Sequence, residues 1–457
     1  MGTFGRLGAC CVVMYLALGG VCARGEISFD AGAALRLRHE YWRNWRDMND
    51  DAKDNRNFFR VRASVWGSWD ADKTFSVFLK LTNESKAYAY FAGTTGSAAD
   101  KSASKKGYHY DINETVFDQL YVRLRQPPGL EATLGRQDLE GLYAESFLVS
   151  DGTPGDGSRT RYFNAVRLRW GGGEGDSLDL VYINDPRDEE FLPVINETRL
   201  VRASAPSRDK APYPLNTTDE QGVILDGQLR GFGPLFLEPY FIYKSEDGEG
   251  GTGLQARPSD IYAPGMFLSY GRGAYVLRAQ IAAQFGTYGS DARRGRGGYI
   301  FLDRKFAGAQ GPQEGRLGFI YLSGDDRGTP RQEAWDPLFS RCPWISDTLS
   351  LQEASETGIS YYWTNLKIAR LGVTLRPCPR TALDLHYNCL WADEQVAPNA
   401  VFSGSGMEKG HLLQGKISYQ WTKSVATYFL GEVLLPGDFY RNRDAAVFLR
   451  TQVEVKF

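Results

Sequence analysis

Histidine and cysteine are scarce in this chain, with four and six among 457 residues. Cys10, Cys11 and Cys22 lie in or beside an N-terminal apolar stretch, which leaves Cys342, Cys378 and Cys389. Three cysteines allow one intramolecular bridge at most, build no disulfide framework and show no metal-ligand spacing. Packing is their expected role, and neither metal nor cofactor is expected. His39, His109, His386 and His411 accompany no serine motif, so nothing marks a nucleophile beside a base. His386 is expected to be a wall residue, and no catalytic residue is expected. No sequence repeat of fixed period occurs, which argues against a propeller or a β-helix. No linker or composition break divides the chain, so one domain is expected despite the length. Beyond the N-terminus no apolar run is long enough for a helical membrane span, and mean hydropathy is negative. The formal charge is −2. It names no partner, and no nucleic acid is expected to bind.

What is present begins with a targeting segment. Arg6, an apolar stretch over 7–20 and the small residues Val21-Cys22-Ala23 read as a signal peptide over residues 1–23. From there to residue 457 hydrophobicity alternates with period two. The last segment sets Val447, Leu449, Thr451, Val453, Val455 and Phe457 on one face. Phe448, Arg450, Gln452, Glu454 and Lys456 take the other. About eighteen such segments follow one another, joined in turn by long polar loops and tight turns. The tight turns fall after even-numbered segments. An apolar outside, a polar inside and loops of unequal length are the needs of a barrel closed on itself in an outer membrane. The expected class is therefore all-β: a transmembrane antiparallel β-barrel of about 18 strands over residues 24–457, with long extracellular loops and short periplasmic turns. The 25 tyrosines, 25 phenylalanines and 10 tryptophans would supply its interfacial girdles. Outer-membrane lipids are the expected surroundings, and a monomer is the expected state.

Period two also assigns faces. In the second segment Arg60 and Arg62 point inward, in the fourth Arg123 and Arg125, in the sixth Arg161, Arg167 and Arg169, and in the last Arg450. Arg36, Arg38, Arg278 and Arg370 join them. Clear inward carboxylates are fewer: Glu40, Asp226, Asp384, Glu432 and Glu454. An excess of guanidinium groups in a confined lumen attracts anions and grips carboxylates in bidentate fashion. An anion-selective pore is the expectation.

Three blocks then resemble the alginate export family of outer-membrane barrels. Leu134-Gly135-Arg136-Gln137-Asp138, Tyr143 to Leu148 and the run from Asp151 to Thr160 form the first. Tyr321 to Asp326 with Trp335 to Arg341 form the second. Gly410 to Gln414, Leu435 to Tyr440 and Phe448-Leu449-Arg450 form the third. The resemblance implies an arginine-rich constriction that passes an acidic, alginate-like polysaccharide out of the cell, with a periplasmic polymer-synthesis scaffold as a possible partner. It would place Arg136, Arg159 and Arg161 at or near that constriction, and Asp151 and Asp156 in a loop folded towards it. Asp325, Asp336 and Arg341 would belong to the loop before the fourteenth strand. The same arginines would equally serve a substrate-specific uptake channel for small organic or sugar acids.

Overall fold

The computed structural model describes residues 27–52, 55–88, 109–139, 142–151, 162–172, 175–193, 216–307, 312–340, 342–359 and 361–457. The expected signal peptide lies outside these residues. Eighteen antiparallel strands form the wall. They are β1 (Ser28–Arg43), β2 (Arg56–Asp70), β3 (Phe75–Tyr88), β4 (His109–Gln126), β5 (Leu130–Gln137), β6 (Phe163–Gly171), β7 (Ser177–Asp185), β8 (Glu220–Phe232) and β9 (Leu235–Glu246). The second half holds β10 (Ser259–Arg272), β11 (Tyr275–Tyr288), β12 (Asp291–Lys305), β13 (Pro312–Leu322), β14 (Leu366–Cys378), β15 (Thr381–Trp391), β16 (Glu408–Gln420), β17 (Val425–Pro436) and β18 (Ala446–Lys456). Each strand pairs with its neighbours in sequence, and β1 pairs with β18 from Ala34↔Lys456 to Arg43↔Val447, so the sheet closes without an edge. No helix among the described residues is long and apolar enough to cross a membrane.

The alternation explains the wall. Val65, Trp170, Ile281, Leu317 and Leu371 stand outward and exposed, while Arg60, Ser64, Arg167 and Gln280 on the same sheet are buried inside. The fully described turns after even-numbered strands are tight, and two of them use glycine at positive φ, Gly233 (66°) and Gly273 (59°), where a Cβ would be strained.

Three expectations need correction. The fourteenth strand, which the hydrophobic alternation would start at residue 357, begins at Leu366, because residues 347–357 form a helix, α1 (Asp347–Thr357), capped by Ser346 and ended by Gly358 at φ 81°. The polar stretch Asp291-Ala292-Arg293-Arg294, which its polarity would mark as loop, is strand. A lumen-facing half-strand is polar, so polarity alone does not mark a loop. Inward carboxylates are also more numerous than period two suggested. Glu84, Asp118, Asp179, Glu238, Glu246 and Asp303 are all buried. Asp118 escapes strict alternation because the β3–β4 register shifts between Lys80↔Gln119 and Leu81↔Phe117.

Candidate pore-lining site

Two long loops fold into the lumen. The first follows β5 and the second follows β13. They meet in a short parallel ladder, Val149↔Phe339 and Asp151↔Ser340. Apolar side chains drive this. Leu139, Tyr143, Phe147 and Leu148 of the first loop are buried with Trp335, Leu338, Phe339 and Trp363 of the second. Phe147 lies 5.5 Å from Trp335, 4.9 Å from Trp344 and 5.4 Å from Tyr299 of β12, centre to centre. Trp335 rests on Gly297 and Phe339 on Gly222, two wall positions where a Cβ would collide with the ring.

Polar struts tie both loops to the wall. Ala144 N–H donates to Glu238 of β9 at 2.6 Å, and Glu145 accepts from Arg278 of β11 at 2.6 and 2.7 Å. Lys244 of β9 donates to the Leu338 carbonyl at 2.8 Å. Asp336 faces Arg293 of β12 at 3.3 Å and accepts from Tyr362 at 2.6 Å. Burial first, and then the Asp336 carboxylate, push the Tyr362 hydroxyl well above the usual tyrosine range, so it remains a donor. At the other side of the lumen the α1 N-terminus meets two strands. Glu432 of β17 accepts from Ser346 Oγ at 2.7 Å and Thr348 N–H at 2.8 Å. Arg450 of β18 grips Asp347 with two bonds of 2.8 and 2.7 Å. The second loop therefore reaches from β9 to β18.

The predicted arginines fall into two groups. Arg136 is buried and fully occupied: bidentate to Glu189 at 2.8 and 2.9 Å, bonded to Asn164 at 2.9 Å and to the Phe117 carbonyl at 3.1 Å, and 4.2 Å from the Tyr162 ring. Gly135 at φ 120° brings its strand close to the Leu120 carbonyl and so sets the start of that side chain. Arg167 is buried on Asp179 at 3.1 Å, and Arg60 lies between Glu40 at 3.3 Å and Glu84 at 3.5 Å. Arg450 adds a bond to Glu40 at 2.8 Å. These four act as struts. Arg62, bonded to Glu84 at 2.7 Å, and Arg123 and Arg125, which share Glu131 at 3.6 and 3.2 Å, keep partly exposed guanidinium groups. Asp325 is half-buried and accepts the Glu333 N–H at 2.8 Å within its own loop. The backbone of Asp151 lies in the loop ladder. Arg159, Arg161, Asp156 and Arg341 lie outside the described residues.

The most concentrated charge is on β18, β1 and β2. Arg36 sits opposite Arg62 and Arg38 opposite Arg60. Like charges in register repel. Glu40 and Glu84 lie among them and hold the array together: Glu84 takes Arg36, Arg60 and Arg62, and Glu40 takes Arg38, Arg60 and Arg450. Five guanidinium groups face Glu40, Glu84 and Asp347. Arg36, Arg38 and Arg62 remain partly open to the lumen, with side chains 14, 13 and 21% exposed. Period two placed Arg36 and Arg38 inside. Nothing in the sequence signalled Glu189 or Asp347, whose loops only the fold brings to the wall.

No protein-family model matches the chain, and no curated protein matches it. Solved structures do. A BenF-like porin from Pseudomonas fluorescens Pf-5 superimposes with TM-score 0.56 at 10% identity, over 95% of this chain and 100% of that one. Acinetobacter baumannii OccAB2 gives 0.56 at 9% identity, over 94% and 98%. Pseudomonas aeruginosa OccK2 (OpdF) in complex with glucuronate gives 0.54 at 11%, over 94% and 98%. The resemblance to the alginate export family is thus overturned. The short blocks that carry it therefore do not single out that family. With its closed wall, apolar outer face and likeness to these structures, the chain is an outer-membrane β-barrel of the porin fold.

Proposed function

We propose that this barrel is a substrate-specific channel for small organic anions, among them sugar acids and other carboxylates, taken up from outside the cell. The observation that carries the reading is the partly open arginine array on β18, β1 and β2. A carboxylate entering beside Arg36, Arg38 and Arg62 meets surplus positive charge and paired N–H donors of fixed geometry. Net charge does not decide permeation; the local field of the narrow part does. Two inward loops with packed aromatics favour small solutes over a polymer chain. Of the similar structures, OccK2 was solved with glucuronate and Pseudomonas aeruginosa OpdK with vanillate, both carboxylates. The outward face is apolar around the barrel, which favours a monomer in lipid.

Planar-bilayer recording with purified protein tests this. Reversal potentials in asymmetric potassium chloride should show anion preference, and glucuronate or a benzoate should block chloride current at millimolar concentration. Cation preference, or no block by either acid, would sink the proposal.

A further inference from the structure

On the outward face of the wall, near the long-loop rim, one cluster has no part in the lumen. Cys389 of β15 and His411 of β16 are register partners, and both point away from the lumen because Asn388 and Leu412 beside them are buried inside. His411 Nε2 lies 3.3 Å from Glu408 Oε1. In the tautomer with its proton on Nε2, facing that carboxylate, Nδ1 is the acceptor. Nδ1 faces the Tyr387 hydroxyl at 3.0 Å and the Cys389 thiol at 3.6 Å, and the thiol also donates to Tyr387 Oη at 3.3 Å. The thiol is half-buried and unbridged. No group of three such side chains among the described residues is arranged to hold a metal ion. What remains is a nucleophile, a base and a carboxylate that orients the base, the arrangement that activates a thiol.

The surroundings say what it would act on. Tyr387 also lines an apolar groove of about 680 Å³ that runs down the same face. The groove exists because Gly415 and Gly431 are register partners and carry no side chains, between walls of Leu385, Leu413 and Phe429. It opens to the lipid and leads towards the periplasmic rim. Trp391, two residues beyond Cys389 near the long-loop rim, is exposed, and an exposed aromatic near the rim of a barrel suits the headgroup level. A lipid acyl chain lying in the groove would bring its ester carbonyl to that level.

We propose that Cys389, His411 and Glu408 form a lipid-facing acyl-transfer site that accepts an acyl chain from an ester-linked lipid of the outer leaflet. The Cys389 sulfur attacks the ester carbonyl while its proton passes to His411 Nδ1. The new bond is the thioester S–C bond, and the bond that breaks is the ester C–O bond. The proton then moves from His411 to the departing oxygen, which leaves as the lipid's free hydroxyl. As the thiol proton takes the Nδ1 lone pair it displaces the Tyr387 hydroxyl, which lies 3.3 Å from the sulfur and turns its proton to the carbonyl oxygen as charge develops there. The sequence gives little hint of this, since Cys389 and His411 are brought together only by strand pairing.

The test uses the full chain folded into phosphatidylcholine vesicles, with p-nitrophenyl octanoate as the first probe. The expected result is a nitrophenolate burst stoichiometric with protein and an octanoyl adduct on Cys389 that neutral hydroxylamine removes. Cys389→Ala should abolish both. His411→Asn should slow the burst about 100-fold, the scale of a lost general base, with the barrel still heat-modifiable on gels. With vesicles alone, the acyl chain of phosphatidylcholine should appear on Cys389 over a longer time. No adduct on Cys389, or equal rates in wild type and His411→Asn, overturns the site. An adduct from the nitrophenyl ester with none from the phospholipid overturns the lipid as donor. Channel conductance of Cys389→Ala is expected to match wild type, so failure here is separable from failure of the channel reading.

Discussion

Two walls of the lumen carry opposite charge, and the inward loops treat them differently. On β7, β8 and β9 stand Asp179, Asp226 and Glu238, each almost fully buried, with Asp179 and Asp226 in register. The loop after β5 lies over them. Glu238 takes the Ala144 N–H, Gln228 beside them donates to the Leu142 carbonyl at 3.0 Å, and Tyr143 is buried nearby. On β18, β1 and β2 the arginines keep exposed edges. Carboxylates are thus spent on holding the loop, while part of the guanidinium array stays in contact with water. A chain of net charge −2 can in this way present a positive path.

The sharpest way to break this comparison is to reverse one wall and neutralise the other. Arg36→Glu with Arg62→Glu is expected to turn anion preference into cation preference in reversal-potential measurements. Asp226→Asn with Glu238→Gln is expected to leave the preference nearly unchanged, because covered carboxylates contribute little to the field along the path. Equal and opposite shifts from the two double variants would mean that both walls line the path, and the contrast would be lost.

A second prediction concerns the far anchor of the loop after β13. Arg450 is buried between Glu40 and Asp347. Asp347→Ala removes one of its partners and frees the start of α1. Removing one member of a buried ion pair costs about 3–5 kcal/mol, reduced here because Glu40 stays bound to Arg450. Thermal unfolding should shift down, and single-channel current should become larger and noisier as the loop loosens. An unchanged midpoint with quiet current would show that the aromatic contacts alone hold the loop.

The wall was legible in the sequence because a closed barrel leaves a local signature: period two, tight turns after even strands and outward apolar residues. Eighteen strands and the inward arginines of β1, β2, β4 and β6 followed from it. Reading failed where a residue's role depends on distant chain. Arg136 looks like any inward arginine until Glu189 and Tyr162 close around it. Asp347 sits in a helix, within a stretch that polarity and period two read only as the long loop before the fourteenth strand. Asp118 lies on the far side of a register shift that no local pattern marks. The alginate resemblance rested on blocks of a few residues each, whereas the fold as a whole superimposes on a porin.

The smallest expected effect separates a hydrogen bond from packing at the near anchor. Tyr362 is fully buried and donates to Asp336, which faces Arg293. Tyr362→Phe keeps the ring and removes the donor, and a bond to a charged acceptor is worth about 1.5–3 kcal/mol. Because burial and then Asp336 raise the hydroxyl above its unfolded value, this contribution is fully present below the unfolded pKa of about 10. It is lost only as pH rises through the higher folded value. The wild-type minus variant difference in thermal midpoint should therefore stay constant from pH 5 to about pH 9 and narrow only in stronger alkali. A difference that already fades near neutral pH would mean that the hydroxyl ionises early and that Tyr362 holds the loop by ring packing alone.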